Sequence, residues 1–168
     1  MSTDIKVTQT VLYGSPDGAK AFDDLTGVAG WPVSQRLDRI KEIKVRHGDI
    51  VDNITITYEQ QGGLGPTTQS HGGDTGAGVE DICLAGTERL VGIYGVAGSV
   101  SDAYGSTSIY KLSFVIADHK NGSVKVKGPF GIATQSGTTF SITANVLAFA
   151  GRTSNRNYLQ ALSVYTQD

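Results

Sequence analysis

The chain has little of what most chemistries require. Its 168 residues hold one cysteine and four prolines, and charged residues make up 18% with a net charge of −2. A single cysteine, Cys83, rules out an intrachain disulfide and any cysteine-based metal site. No field of clustered Lys and Arg exists to hold nucleic acid or an anionic membrane. The densest basic stretch, residues 36–41, is interrupted by Asp38 and followed by Glu42, and reads as a solvated strand face. No apolar run approaches a membrane span, so no membrane insertion is expected. The start, Met1-Ser2-Thr3-Asp4, lacks the charged and apolar regions of a secretion signal. The expected location is therefore cytoplasmic, or outside the cell by a non-classical route. Asn53-Ile54-Thr55 and Asn121-Gly122-Ser123 match the glycosylation acceptor pattern and are expected to be idle without such a signal.

Enzyme chemistry also lacks its parts. His47, His71 and His119 stand in turn contexts, and no Gly-x-Ser-x-Gly elbow accompanies them. Neither His47 with Asp49 nor the other histidines have zinc-motif spacing. Asp23-Asp24 could suggest the paired carboxylates of glycoside hydrolysis. Adjacent strand residues point to opposite faces, however, so the two cannot flank one bond.

Glycine is what the chain has in excess, 22 residues spread along its length, which implies many tight turns. Between them the apolar residues alternate. Ile43 and Val45 share one face; so do Ile54, Ile56 and Tyr58; Tyr110, Leu112, Phe114 and Ile116; and Phe140 and Ile142. A period of two predicts half-buried strands, and Asp17-Gly18, His47-Gly48-Asp49, Gly62-Gly63, Asn121-Gly122 and Ser136-Gly137 are the turns between them. No segment keeps a helical apolar stripe. About ten to twelve short strands predict an all-β, closed or three-sheeted antiparallel architecture in one domain covering 1–168. A glycine-rich loop followed by a strand pair recurs near 14–24, 62–78 and 118–131, consistent with three Greek-key-like units.

Two loops stand out as chemistry. Gly48-Asp49-Ile50-Val51-Asp52 places a carboxylate beside backbone amides on a short loop, and His71-Gly72-Gly73-Asp74 supplies a loop with no side chains to hold a ligand away. Together they suit a neutral polyol; the alternative is a pair of surface turns, since Gly and Asp are common there.

The order of several short blocks carries a resemblance. Ala21-Phe22-Asp23-Asp24, Ile43 through Gly48, Val51 through Tyr58, His71-Gly72-Gly73, Leu84 through Leu90, Gly128-Pro129-Phe130-Gly131, Phe149-Ala150-Gly151-Arg152 and Tyr158 through Tyr165 follow one another as in the jacalin-related lectins. The chain resembles the mannose-binding type of that family over essentially its whole length. The resemblance implies a β-prism I fold, three four-stranded antiparallel Greek-key sheets with pseudo-threefold symmetry. It also implies sugar binding without catalysis, metal or cofactor, a structural role for Asp23-Asp24, glycans or glycoproteins of the mannose or glucose type as partners, and a homodimer.

What the resemblance implies differs from site to site. Gly48, Asp49, Ile50, Val51 and Asp52 match the family's second Gly-x-x-x-Asp loop, and Gly72 and Gly73 its partner. Asp52 would accept from two adjacent hydroxyls, such as the 4-OH and 6-OH, while the amides of Asp49, Ile50 and Gly73 donate. The usual first site departs from the pattern. Its first loop contains Asp17 and Gly18 without a doubled glycine. Its second reads Arg156-Asn157-Tyr158-Leu159-Gln160, with Arg in the Gly place and Gln in the Asp place, after a stretch about one position longer than usual. An amide oxygen in place of a carboxylate gives up a charge-assisted bond, roughly 1.5–3 kcal/mol or about ten- to hundredfold in affinity. The first site is thus expected to be weakened, altered or lost. A third Gly-x-x-x-Asp, Gly98 to Asp102, lies near Tyr104 with a possible partner loop at Asn121-Gly122; chance match or a flexible 98–108 connection is the plainer reading. The competing function is a non-sugar protein-interaction module on a prism with degraded sugar sites.

Overall fold

The computed structural model describes residues 6–29, 37–99, 107–131, 137–154 and 158–168. Among the described residues there are thirteen strands, of which β4, β6, β9 and β11 alternate most clearly in burial: β1 (Val7–Gln9), β2 (Tyr13–Gly14), β3 (Lys20–Asp23), β4 (Leu37–His47), β5 (Val51–Gln60), β6 (Thr67–Gly72), β7 (Gly78–Cys83), β8 (Glu88–Ser99), β9 (Thr107–Asp118), β10 (Val124–Phe130), β11 (Thr138–Thr143), β12 (Val146–Thr153) and β13 (Leu159–Gln167). They form three antiparallel sheets, ordered β6-β5-β4-β7, β10-β9-β8-β11 and β1-β13-β12-β3. In the third sheet β1 and β2 pair with successive parts of β13, so together they act as one interrupted edge strand. Each sheet is then four strands wide and wound as a Greek key, the last strand returning beside the first of its hairpin. Because the third sheet takes strands from both chain ends, it ties the termini together.

The inner faces of the three sheets meet in one core. Ile43, Val45, Ile54 and Ile56 come from the first sheet, Ile93, Leu112 and Phe114 from the second, and Phe149, Leu162 and Val164 from the third; all are fully buried. This is the three-sided β-prism that the alternation and the family resemblance lead one to expect. One helix was not foreseen. Helix α1 (Asp24–Ala29) follows β3 directly, because Asp23 Oδ1 caps it by accepting from the amides of Leu25 (3.0 Å) and Thr26 (3.2 Å). At six residues it is too short to show an apolar stripe.

Asp23 and Asp24 are structural, and they point to different partners. Asp23 Oδ2 accepts from the Tyr165 hydroxyl at 2.6 Å. Asp24, almost fully buried, accepts from the Tyr58 hydroxyl at 2.5 Å and lies 2.6 Å from His71 Nε2. The Tyr58 oxygen in turn accepts from the Phe149 amide at 3.1 Å, so one phenol links the core of two sheets. Tyr58 is held far above the ordinary phenol range, first by burial and then by the adjacent Asp24 charge. His71, whose ring stacks on Phe22 at 3.7 Å, lies within β6 and does not sit in a turn.

Of the basic stretch at 36–41, Arg36 lies outside the described residues and Asp38 and Lys41 are exposed as expected, but the other residues do not form a solvated face. Leu37 and Ile40 are core residues, and Arg39 is only 9% exposed. Its guanidinium forms a two-pronged pair with Glu59, at 2.8 and 3.1 Å, and donates to the carbonyls of Leu84 and Ala85. A planar fork meeting a carboxylate and two carbonyls is how a buried arginine stays satisfied.

Candidate functional site

One end of the prism repeats the same backbone arrangement in each sheet. Gly72, at the end of β6, lies opposite Asn53 and has φ +111°. A Cβ there would overlap the Asp52 carbonyl oxygen, and the conformation itself is one that only glycine adopts readily. Gly14 repeats this against Gln160, with φ +109°, and Gly131 against Tyr110, with φ +100°. The amide after the glycine then donates to that carbonyl: Gly73 to Asp52 and Ser15 to Gln160, both at 3.1 Å. Asp52, Gln160 and Tyr110 are therefore equivalent positions of the three sheets.

At the first of these positions the predicted residues come together. Gly48, Asp49 and Ile50 form the turn between β4 and β5, closed by the Gly48 amide donating to the Ile50 carbonyl at 3.0 Å, and Val51 and Asp52 open β5. Ile50 and Val51 are buried and anchor the turn, whereas Asp49 is exposed. The amides of Asp49 and Ile50 donate to no acceptor among the described residues. The Asp52 carboxylate lies under the loop after Gly73, where a Cβ on Gly76 would come within 2.7 Å of Oδ2. Thr75 Oγ1 donates to Oδ1 at 3.2 Å, the single hydrogen bond this carboxylate receives from the described residues. An ionised carboxylate has about four acceptor positions, so most of its capacity is unspent. Burial raises its pKa above the ordinary value, opposed by the Thr75 hydrogen bond and by the nearby His47.

One expected donor is already engaged. Because the Gly73 amide donates to the Asp52 carbonyl, it secures the glycine loop to β5 and is not the sugar donor that the family pattern suggested. Thr75 and Gly76, in contrast, were not singled out in the sequence. Their signal was the spacing: Gly72 and Gly76 are separated as Gly14 and Gly18 are.

The second position preserves this frame with different chemistry. A Cβ on Gly18 would lie 3.0 Å from Gln160 Oε1, just as Gly76 faces the Asp52 carboxylate. Gln160 is 6% exposed and donates to the Thr107 carbonyl at 3.4 Å, while Arg152 Nη1 donates to the Gly18 carbonyl at 2.8 Å. Tyr158 is buried, and its amide donates to Ser154 Oγ at 3.1 Å. Asp17 is exposed, with its amide 3.3 Å from Ser15 Oγ. Arg156 and Asn157 lie outside the described residues.

At the third position the register places Tyr110. Gly98 is inside β8, paired with Ser108, and a Cβ on it would stand 3.0 Å from the Tyr110 hydroxyl. Tyr110, with its phenol buried, thus stands at the strand position that Asp52 holds in the first sheet. Asp102 lies outside the described residues. Among the described residues, no group of three or more His, Cys, Asp or Glu side chains is placed to hold a metal ion.

Solved structures with this architecture include wild-type Malaysian banana lectin, 28% identical, TM-score 0.71, covering 96% of this chain and 98% of that one. A mannose-specific jacalin-related lectin from Morus nigra, solved with mannose, is 26% identical with TM-score 0.74, covering 100% and 98%. Jacalin-related lectin 3 of Arabidopsis thaliana is 28% identical over 132 residues, 76% of this chain but 20% of that protein, so the chain spans about a fifth of its length. The Jacalin-like lectin domain profile matches residues 12–165, and with the prism and its three glycine-bounded loop positions this places the chain in that family of non-enzymatic, carbohydrate-binding domains.

Proposed function

We propose that this domain binds mannose- or glucose-type glycans through the Asp52 position, and that this is its principal site. The observation that carries the reading is the Asp52 carboxylate, desolvated yet given one protein hydrogen bond, beside two amides with no described acceptor. Two adjacent hydroxyls of a hexopyranoside would donate to Asp52, and its ring substituents would accept from Asp49 and Ile50. The amides are fixed by the turn before a ligand arrives, so little ordering entropy opposes binding. No step of bond breaking is involved, and no metal is needed. Mannose is also what the Morus nigra relative was solved with.

The Gln160 position keeps the frame but offers an amide, and the Tyr110 position a phenol. Both are read as weaker or silent sites, so multivalent binding would come from joining copies, as in the homodimer that the family resemblance suggests. The test is titration of methyl α-mannoside into the protein and into Asp52→Ala. Binding that Asp52→Ala abolishes supports the reading. Equal affinity in a folded variant refutes the Asp52 site and moves the sugar elsewhere, whereas no glycan binding at all refutes the reading and favours a protein-interaction module.

A further inference from the structure

The outer face of the β4–β7 sheet holds a polar groove of about 360 Å³ that runs up to Gly72 and Gly73. Alternation puts Ile43, Val45, Ile54 and Ile56 inside the prism and leaves Lys44, Arg46, Asn53, Thr55 and Ser70 outside, lining the groove. Its floor is a hydroxyl–amide network: Thr55 Oγ1 donates to Asn53 Oδ1 at 2.8 Å, and Asn53 Nδ2 donates to Ser70 Oγ at 3.1 Å.

The cations are the unusual part. Arg46 pairs with Asn53 across β4 and β5 as Arg152 pairs with Ala161 across β12 and β13, so the two arginines are equivalent. Arg152 is tied to the Gly18 carbonyl at 2.8 Å. Arg46 is half-buried, and its guanidinium makes no hydrogen bond or ion pair with any described residue. Lys44 stands on the same face, and its pair with Asp81 is loose, 3.5 Å between side chains that are both about half exposed. Asp74 at the rim supplies one opposing charge, so the lining carries two cations against one anion. A guanidinium fork with no hydrogen-bond or ion-pair partner among the described residues, facing a hydroxyl-lined groove, is suited to an oxyanion on a sugar.

We infer that the groove is a subsite for an acidic residue of an extended glycan. A neutral hexose sits at Asp52, and the next residue places a uronate carboxylate or a phosphate ester against Arg46 and Lys44. This rests on the Asp52 reading, since Gly72 and Gly73 join the two places.

Calorimetric titration of the intact protein with four ligands tests it: methyl α-mannoside, a neutral mannose disaccharide, the same disaccharide carrying a phosphate ester, and mannose linked to glucuronic acid. At low salt an acidic disaccharide should bind about tenfold more tightly than the neutral one, the scale of one charge-assisted contact. That preference should shrink with salt and with Arg46→Gln, return in part in Arg46→Lys, and leave methyl α-mannoside affinity within about twofold. A preference for only one of the two acids would identify the source of the oxyanion. Equal affinity for neutral and acidic disaccharides, or a preference that survives Arg46→Gln, would overturn the subsite while leaving the Asp52 reading intact. Failure of methyl α-mannoside to bind would overturn both.

Discussion

Asp52→Asn separates a binding role from a structural one, because the two make opposite forecasts for stability. The substitution keeps shape and removes charge. Asp52 is expected to accept two hydroxyl bonds, each worth about 1.5–3 kcal/mol to a charged acceptor and about 0.5–1.5 kcal/mol to a neutral one. The amide can also supply only one acceptor oxygen. A loss of about 2–4 kcal/mol follows, or about thirty- to seven-hundredfold in affinity for methyl α-mannoside. Stability should move the other way. The folded-state pKa of Asp52 is raised by burial, so the folded protein holds that proton more tightly than the unfolded chain does. The ionised carboxylate therefore lowers stability above its folded pKa, and this penalty disappears as pH falls through that value to the unfolded one. Asn carries no such penalty and can still accept from Thr75. Urea denaturation should then show Asp52→Asn at least as stable as wild type near neutral pH, with the difference closing in acid. Affinity of the wild type should fall with acidification at a pH above the ordinary aspartate range. A variant that binds within about threefold of wild type, or that is clearly less stable at neutral pH, would mean that Asp52 serves the turn.

Other consequences can be checked on the same protein. Gln160→Asp restores a carboxylate opposite Gly18 and should raise the number of methyl α-mannoside sites seen by calorimetry. An unchanged stoichiometry would show that the loop around Gly18 lacks the other contacts. Gly72→Ala forces a Cβ toward the Asp52 carbonyl at φ +111° and should cost about 1–3 kcal/mol, read by urea denaturation, with sugar affinity lowered alongside. Tyr58→Phe leaves the buried Phe149 amide and Asp24 carboxylate each without the phenol and should lower stability by about 2–4 kcal/mol without changing affinity.

Much of the fold was legible because a two-residue period has few interpretations. Ile54, Ile56 and Tyr58 on one face of a strand, bounded by glycine turns, must bury that face. Helix α1 escaped notice because a capping Asp23, and not a stripe, starts it. Arg39 escaped because its partners, Glu59 and the carbonyls of Leu84 and Ala85, are distant in sequence. A run of charges near neutral residues carries no record of which one will be folded inward.

The residues alone establish the all-β alternation and the candidate loops Gly48 to Asp52 and Gly72-Gly73, and the family resemblance adds that Gln160 stands where a carboxylate is usual. Local chemistry decides these: alternation, turn residues and the identity of a side chain in a motif. Folding in three dimensions was needed to place Tyr110 at the third equivalent position, to commit the Gly73 amide to Asp52, and to turn Arg46 toward a groove while Arg152 is bound to Gly18. Those facts depend on register between strands far apart in the chain, and register is set by how three sheets close on one core.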